Sequence, residues 1–221
     1  MGISSQRRIL VKRFSPLALL LVALLIVTLE KASAGNLLTN GSFQSRDFTG
    51  WNQGTTPNGS PGLGFPIVAT WPLGGVNAAE YNVGEVNYTT LQEGATLSQT
   101  FTTTAGLLNL GFGFAALDNS CCANSAGGLF TLVVDGVGVA AYNVGLINPN
   151  QLITGSVSAL TITTAGEHTF DIDITRPWLT SGITPFQFVS GAYANQTSEP
   201  ASMLLLGSGF MVVARRLRKR A

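Results

Sequence analysis

Between residues 95 and 175 apolar and polar positions repeatedly exchange with a period of two. The pattern runs through ATLSQTFTT (Ala95 to Thr103), LFTLVVDG (Leu129 to Gly136), ALTITTAG (Ala159 to Gly166) and HTFDIDIT (His168 to Thr175). A period of two sends alternate side chains to opposite faces of a strand. In the last segment Phe170, Ile172 and Ile174 face one way, and Asp171, Asp173 and Thr175 the other, as a half-buried antiparallel strand requires. Asp135-Gly136 lies between the apolar runs TLVV and VGVAAYNV and predicts a tight hairpin. Gly166 likewise turns one strand into the next, with His168 opening that strand at the surface. Between Gly35 and Thr197 glycine and proline punctuate the chain so often that the longest stretch free of both, Phe114 to Ala126, has 13 residues and leaves little room for helices. Turn signals at spacings of about 8 to 12 residues predict an all-β, antiparallel β-sandwich rather than a parallel α/β fold.

The two ends follow a different pattern. An apolar run from Leu17 to Leu29, broken only by Thr28, follows Arg7, Arg8, Lys12 and Arg13 and precedes the small-residue site Ala32-Ser33-Ala34. This is the layout of a signal peptide over residues 1–34, a helical segment cleaved before Gly35, and the run is too short for the ~20 residues of a membrane span. QRRILVK (Gln6 to Lys12) is similar to a twin-arginine export motif, whereas the leucine-rich run suits the general secretory route. At the other end Ala201 to Ala214 would form a helix of roughly 21 Å, short of the ~30 Å hydrocarbon core, which suits a transient transmembrane helix. Arg215, Arg216, Arg218, Lys219 and Arg220 follow it and keep that terminus cytoplasmic by the positive-inside rule, placing the body outside. A permanent tail anchor is the alternative. The chain thus divides into residues 1–34, a body over 35–197 and a tail over 198–221.

Charge is segregated in the same way. The whole chain has a formal charge of +1, but the body holds two arginines, Arg46 and Arg176, against nine acids, a formal charge of −7. Such a body repels phosphate, which excludes nucleic acid as a partner. One histidine and two adjacent cysteines are too few for a His-based triad, a histidine-rich metal site or a zinc ribbon, so no metal and no cofactor is expected. Asp171 and Asp173 have the spacing of a glycosidase pair. Sharing one strand face, they read as a solvated surface, and no catalytic residue is assigned.

The tail TSEPASMLLLGSGFMVVARRLRKRA orders a polar-Pro element, an apolar stretch and a basic cluster. In this it resembles the PEP-CTERM sorting tail, with Ser198, Glu199 and Pro200 at the sorting box. The resemblance implies processing by an exosortase, and hence an exported, membrane-anchored precursor destined for the cell surface or extracellular matrix. The body opens with NLLTNGSFQSRDFTGW (Asn36 to Trp51), which is similar to the start of galactose-binding-like jelly rolls, relatives of carbohydrate-binding modules. ATLSQTFTTTAG followed by LNLGFGFAAL resembles their paired strands, LFTLVVDGVGV their hairpin and AGEHTFDIDI a late strand. The resemblance implies a jelly roll with Trp51 in its core. Where related domains place calcium-holding acids, this chain has Gln44 and an acid-free FQFVSGAYA, so a calcium site of that type is not expected.

Three residues are candidates for carbohydrate contact. Trp71 and Trp178 each adjoin a proline between strands, where an exposed ring offers a stacking surface for a sugar; the alternative is a ring folded over the sandwich. Arg176 could reach hydroxyls or a uronate carboxylate, or neutralise Asp171 or Asp173. Cys121 and Cys122 stand in a polar loop of an exported chain. The readings are a strained vicinal disulfide, intermolecular links or a reduced pair, of which the first is preferred. The reading as a whole is a non-catalytic exported protein associated with exopolysaccharide, as in a biofilm matrix, with the exosortase, the export machinery and transiently the membrane as partners. Its alternatives are an extracellular carbohydrate-active hydrolase and a purely structural matrix or adhesion subunit.

Overall fold

The computed structural model describes residues 35–180 and 185–197. The expected signal segment with Ala32 and Ala34, the sorting residues Ser198, Glu199 and Pro200, and the expected C-terminal membrane helix lie outside the described residues; Gly35 is the first residue within them. All regular structure in the described residues is strand.

Two five-stranded sheets carry the body, with every strand pairing antiparallel. The first runs in the order β1 (Asn52–Thr55), β6 (Glu93–Thr103), β11 (Gly166–Arg176), β8 (Leu129–Val134), β9 (Val137–Asn143). The second runs β10 (Leu152–Thr163), β7 (Gly106–Leu117), β12 (Phe186–Thr197), β4 (Asn77–Tyr81), β3 (Ile67–Thr70). A small ribbon joins β2 (Gly59–Ser60) to β5 (Gly84–Glu85). The antiparallel sandwich expected from the alternation is the fold observed.

Alternation decides what lies between the sheets. Leu108, Leu110, Phe112 and Phe114 of β7 meet Phe170, Ile172 and Ile174 of β11 and Phe130 and Leu132 of β8, all buried. Phe114 stacks on Phe130 with ring centroids 4.6 Å apart, joining the two layers. Each such side chain contributes about 1.5–3 kcal/mol through burial. Trp51 belongs to the same core, stacked on Phe43 and edge-on to Phe170, and its indole N–H donates to the Asn40 carbonyl at 3.2 Å. The opening segment is therefore a packing device. Asn40 holds φ +52°, which an asparagine tolerates, while Asn36 staples the segment to the last strand, donating to the Ala192 carbonyl and accepting from the Ala194 N–H, both at 2.9 Å.

Asp135-Gly136 forms the expected hairpin between β8 and β9, with φ values of +52° and +77° as a type I′ turn needs. Two expectations change. His168 is buried at 8 % exposure rather than at the surface, because its ring spans two corners: Nδ1 lies 2.7 Å from Asp135 Oδ2 and Nε2 lies 3.1 Å from the Thr164 carbonyl. Also, β6 and β7 are not paired neighbours but lie in different sheets, as do β10 and β11. Both crossovers use Thr-Ala-Gly, with Gly106 at φ +149° and Gly166 at φ +141°, a region open to glycine. The preceding threonines, Thr103 and Thr163, meet through their hydroxyls at 3.3 Å.

Candidate functional site

Four loops meet beside the ends of β4, β7, β9 and β11. Asn124 and Ile147 exchange backbone hydrogen bonds at 2.8 Å in both directions, tying the loop after β7 to the loop after β9. On the other side the Glu85 N–H donates to the Trp178 carbonyl at 2.6 Å, and the Thr180 N–H donates to the Glu85 carbonyl at 2.9 Å. Gly84 makes that contact sterically accessible, since a Cβ at this position would lie 2.5 Å from the Trp178 carbonyl oxygen. The chain therefore presents Trp178 on a braced segment.

Between these loops is an open cavity of about 340 Å³, lined by Ala123, Asn124, Ser125, Leu146 and Trp178. Trp178 is 41 % exposed, and its indole N–H donates to Ser125 Oγ at 3.1 Å, which fixes the ring while leaving a face open. Tyr88 stands next to it, with ring centroids 5.9 Å apart at an interplanar angle of 30°. Tyr88 and Leu146 are themselves largely exposed. A shallow site with one fixed indole, a second ring and a few amide and hydroxyl groups can hold a ligand with an apolar face and hydroxyl edges.

Arg176 sits beneath this site rather than in it. It is 4 % exposed; its guanidinium donates to the Val83 carbonyl and to Asn124 Oδ1, each at 3.3 Å. Burial lowers its pKa to about 10, with the nearby charge of Asp118 working against that shift, so it remains a cation at neutral pH. Its partners are thus Asn124 and Asp118, not Asp171 or Asp173, and it orients a cavity-lining amide. Asp118 is fully buried and accepts from the Ser120 N–H at 2.8 Å.

Trp71 and Trp178 are not brought together. Trp71 is half-buried on the outer face of the second sheet against Ala78, Ala115 and Phe188, with the indole edge over Gly113. Cys121 and Cys122 are exposed free thiols with Sγ atoms 2.8 Å apart, in the loop that leads into Ala123. Asp171 and Asp173 occupy the outer face of the first sheet, away from the cavity lining. Burial raises both, Asp173 to about 6 with the Asp171 charge adding to it. Asn124, Ser125, Leu146 and Tyr88 had no sequence signal of their own. The legible cue is the polar, glycine-bounded loop NSCCANSAGG, whose Asn124-Ser125 pair, next to the cysteines, lines the cavity.

Residues 196–219 match the PEP-CTERM protein-sorting motif. The chain is therefore an exported, exosortase-sorted protein, anchored in the membrane through its C-terminal segment before processing. No curated protein sequence matches it. Among solved structures, the module TmCBM61 in complex with β-1,4-galactotriose is 15 % identical, with 73 % of this chain and 98 % of that chain covered and a TM-score of 0.42. The CBM22 tandem domain of Paenibacillus barcinonensis Xyn10C is 13 % identical over 77 % of this chain and 52 % of that one, with a TM-score of 0.42. An arabinose-bound GH51 α-L-arabinofuranosidase is 12 % identical over 75 % of this chain and 27 % of the enzyme, with a TM-score of 0.42.

Proposed function

We propose that the body is a non-catalytic polysaccharide-binding module, delivered to the cell surface or extracellular matrix by exosortase sorting and associated there with exopolysaccharide. The observation that carries this reading is the Trp178 ring, held by Ser125 and flanked by Tyr88 at the mouth of an open cavity. In this reading Trp178 stacks on a sugar ring, Asn124 and Ser125 meet its hydroxyls, and Arg176 acts as a positioning residue through Asn124. Trp71 offers a second, separate contact on the outer sheet face.

Turnover has no support in the site. None of the five residues lining the cavity titrates, and Asp171 and Asp173, a pair with glycosidase spacing, share a different surface. Affinity for a short oligosaccharide is expected near millimolar, about −4 kcal/mol, since one stacked ring and a few hydrogen bonds must outweigh the loss of ligand freedom. Many copies on one polymer would raise retention through avidity. The test is retention of the protein on exopolysaccharide from the producing cell. Trp178→Ala should weaken it about tenfold with the melting temperature unchanged, and no reducing sugar should appear. Equal retention of the variant would refute the site, and released reducing sugar would refute the non-catalytic role.

A further inference from the structure

The class of the ligand follows from the charges around the cavity. Residues 86–92, 119–128, 144–151 and 177–180, which enclose the cavity and its rim, contain no Asp, Glu, Lys or Arg. Their polar side chains are amides and hydroxyls, among them Asn87, Asn119, Asn124, Ser125 and Asn148, together with the thiols of Cys121 and Cys122. Four acidic or basic residues border these loops, Glu85, Glu93, Asp118 and Arg176; Glu93 is partly buried and the other three are buried. Glu85 is fully buried and accepts at one carboxylate oxygen from the Thr89 hydroxyl and N–H. Asp118 is fully buried and caps Ser120. Arg176 is 4 % exposed and donates from its two terminal nitrogens to the Val83 carbonyl and Asn124 Oδ1, its buried Nε making no hydrogen bond.

A carboxylated sugar leaving water for this site would meet no exposed cation. It would also approach a body of formal charge −7, in which the other arginine, Arg46, is followed directly by Asp47 in the opening segment. Amides and hydroxyls, by contrast, donate to and accept from sugar hydroxyls without any ion. We infer that the polymer bound at Trp178 is a neutral polysaccharide, one without uronate, sulfate or phosphate groups. The inference rests on the polysaccharide-binding reading above and narrows it.

The experiment separates the two. Exopolysaccharide from the producing cell is divided on an anion exchanger into a neutral and an acidic fraction, and each is immobilised. The full chain in detergent, wild type and Trp178→Ala, is passed over both at low and high salt, with and without Ca²⁺. Retention of the wild type on the neutral fraction is expected, about tenfold stronger than on the acidic one, insensitive to salt and to Ca²⁺, and weakened about tenfold in Trp178→Ala. Stronger retention on the acidic fraction, with or without Ca²⁺, overturns the neutral class while leaving polysaccharide binding in place. Retention on neither fraction, or retention equal in the two proteins, overturns the binding reading and this inference with it.

Discussion

Removing an indole ring costs a protein what the ring buries, so the two loop tryptophans differ in what their loss would do. Trp178 presents an open face and packs on no core cluster, and Trp178→Ala should change stability by no more than about 0.5 kcal/mol, the usual range for surface substitutions. Trp71 is packed over Gly113 and against Ala78, Ala115 and Phe188, so Trp71→Ala should destabilise by about 1–3 kcal/mol, read as a lower melting temperature. Equal melting temperatures for the two variants would contradict the different environments described for them. Both residues carry the same sequence cue, a tryptophan beside a proline. That cue marks a loop, but whether the ring then finds an apolar floor depends on Gly113 and Ala115, more than 40 residues away in the chain, which the local sequence does not reveal. The burial of Arg176 was hidden for a similar reason, because its partners come from two other segments, Val83 from the turn after β4 and Asp118 and Asn124 from the loop after β7.

Strand β11 concentrates the groups whose titration bears on stability. His168 is raised chiefly by its hydrogen bond to Asp135, with the Thr164 carbonyl adding to it, and both ring nitrogens face acceptors that only the doubly protonated ring satisfies. A raised histidine contributes stability that is fully present below about pH 6.5 and lost as pH rises through its folded value. Asp173, raised to about 6 first by burial and then by Asp171, acts in the same direction: its protonated form is favoured on folding, so that contribution fades as pH rises from about 4 through 6. Asp135 acts the other way. Burial works to raise it, but hydrogen bonds from His168 and the Thr169 N–H together with the His168 charge leave it lowered, so its contribution is lost only as pH falls below its ordinary range. The melting temperature should therefore be higher near pH 5 than near pH 8, and the combined replacement His168→Phe with Asp173→Asn should flatten the difference; an unchanged pH profile would contradict this account. The existence of β11 and the inward face it buries were legible in its alternation. Its sheet neighbours were not, because an alternating strand ending in Thr-Ala-Gly reads alike whether the chain doubles back in one sheet or crosses to the other, and the approach of Thr103 to Thr163 emerges only in three dimensions.

For the molecule as a whole, the two basic ends and the acidic body describe a chain that is addressed, exported and then left outside. The native product should lack residues 1–34 and the segment after Pro200, which intact mass on protein recovered from the cell surface would report; a mass retaining Arg215 to Arg220 would contradict processing of the sorting tail. What reaches the surface is then a sandwich whose core includes Trp51, Phe114 and Phe170 and whose open cavity lies where the loops around Trp178 meet. The body holds three tryptophans in three settings: Trp51 in the core, Trp71 half-buried on a sheet face and Trp178 with an open face at the cavity. That separation allows one direct measurement of the central claim, a titration of intrinsic tryptophan fluorescence with exopolysaccharide from the producing cell, run on the wild type and on Trp178→Phe. Stacking on Trp178 predicts a saturable change in emission for the wild type that is much smaller in the variant, whereas the same change in both proteins, or none in either, would contradict polysaccharide binding at this site.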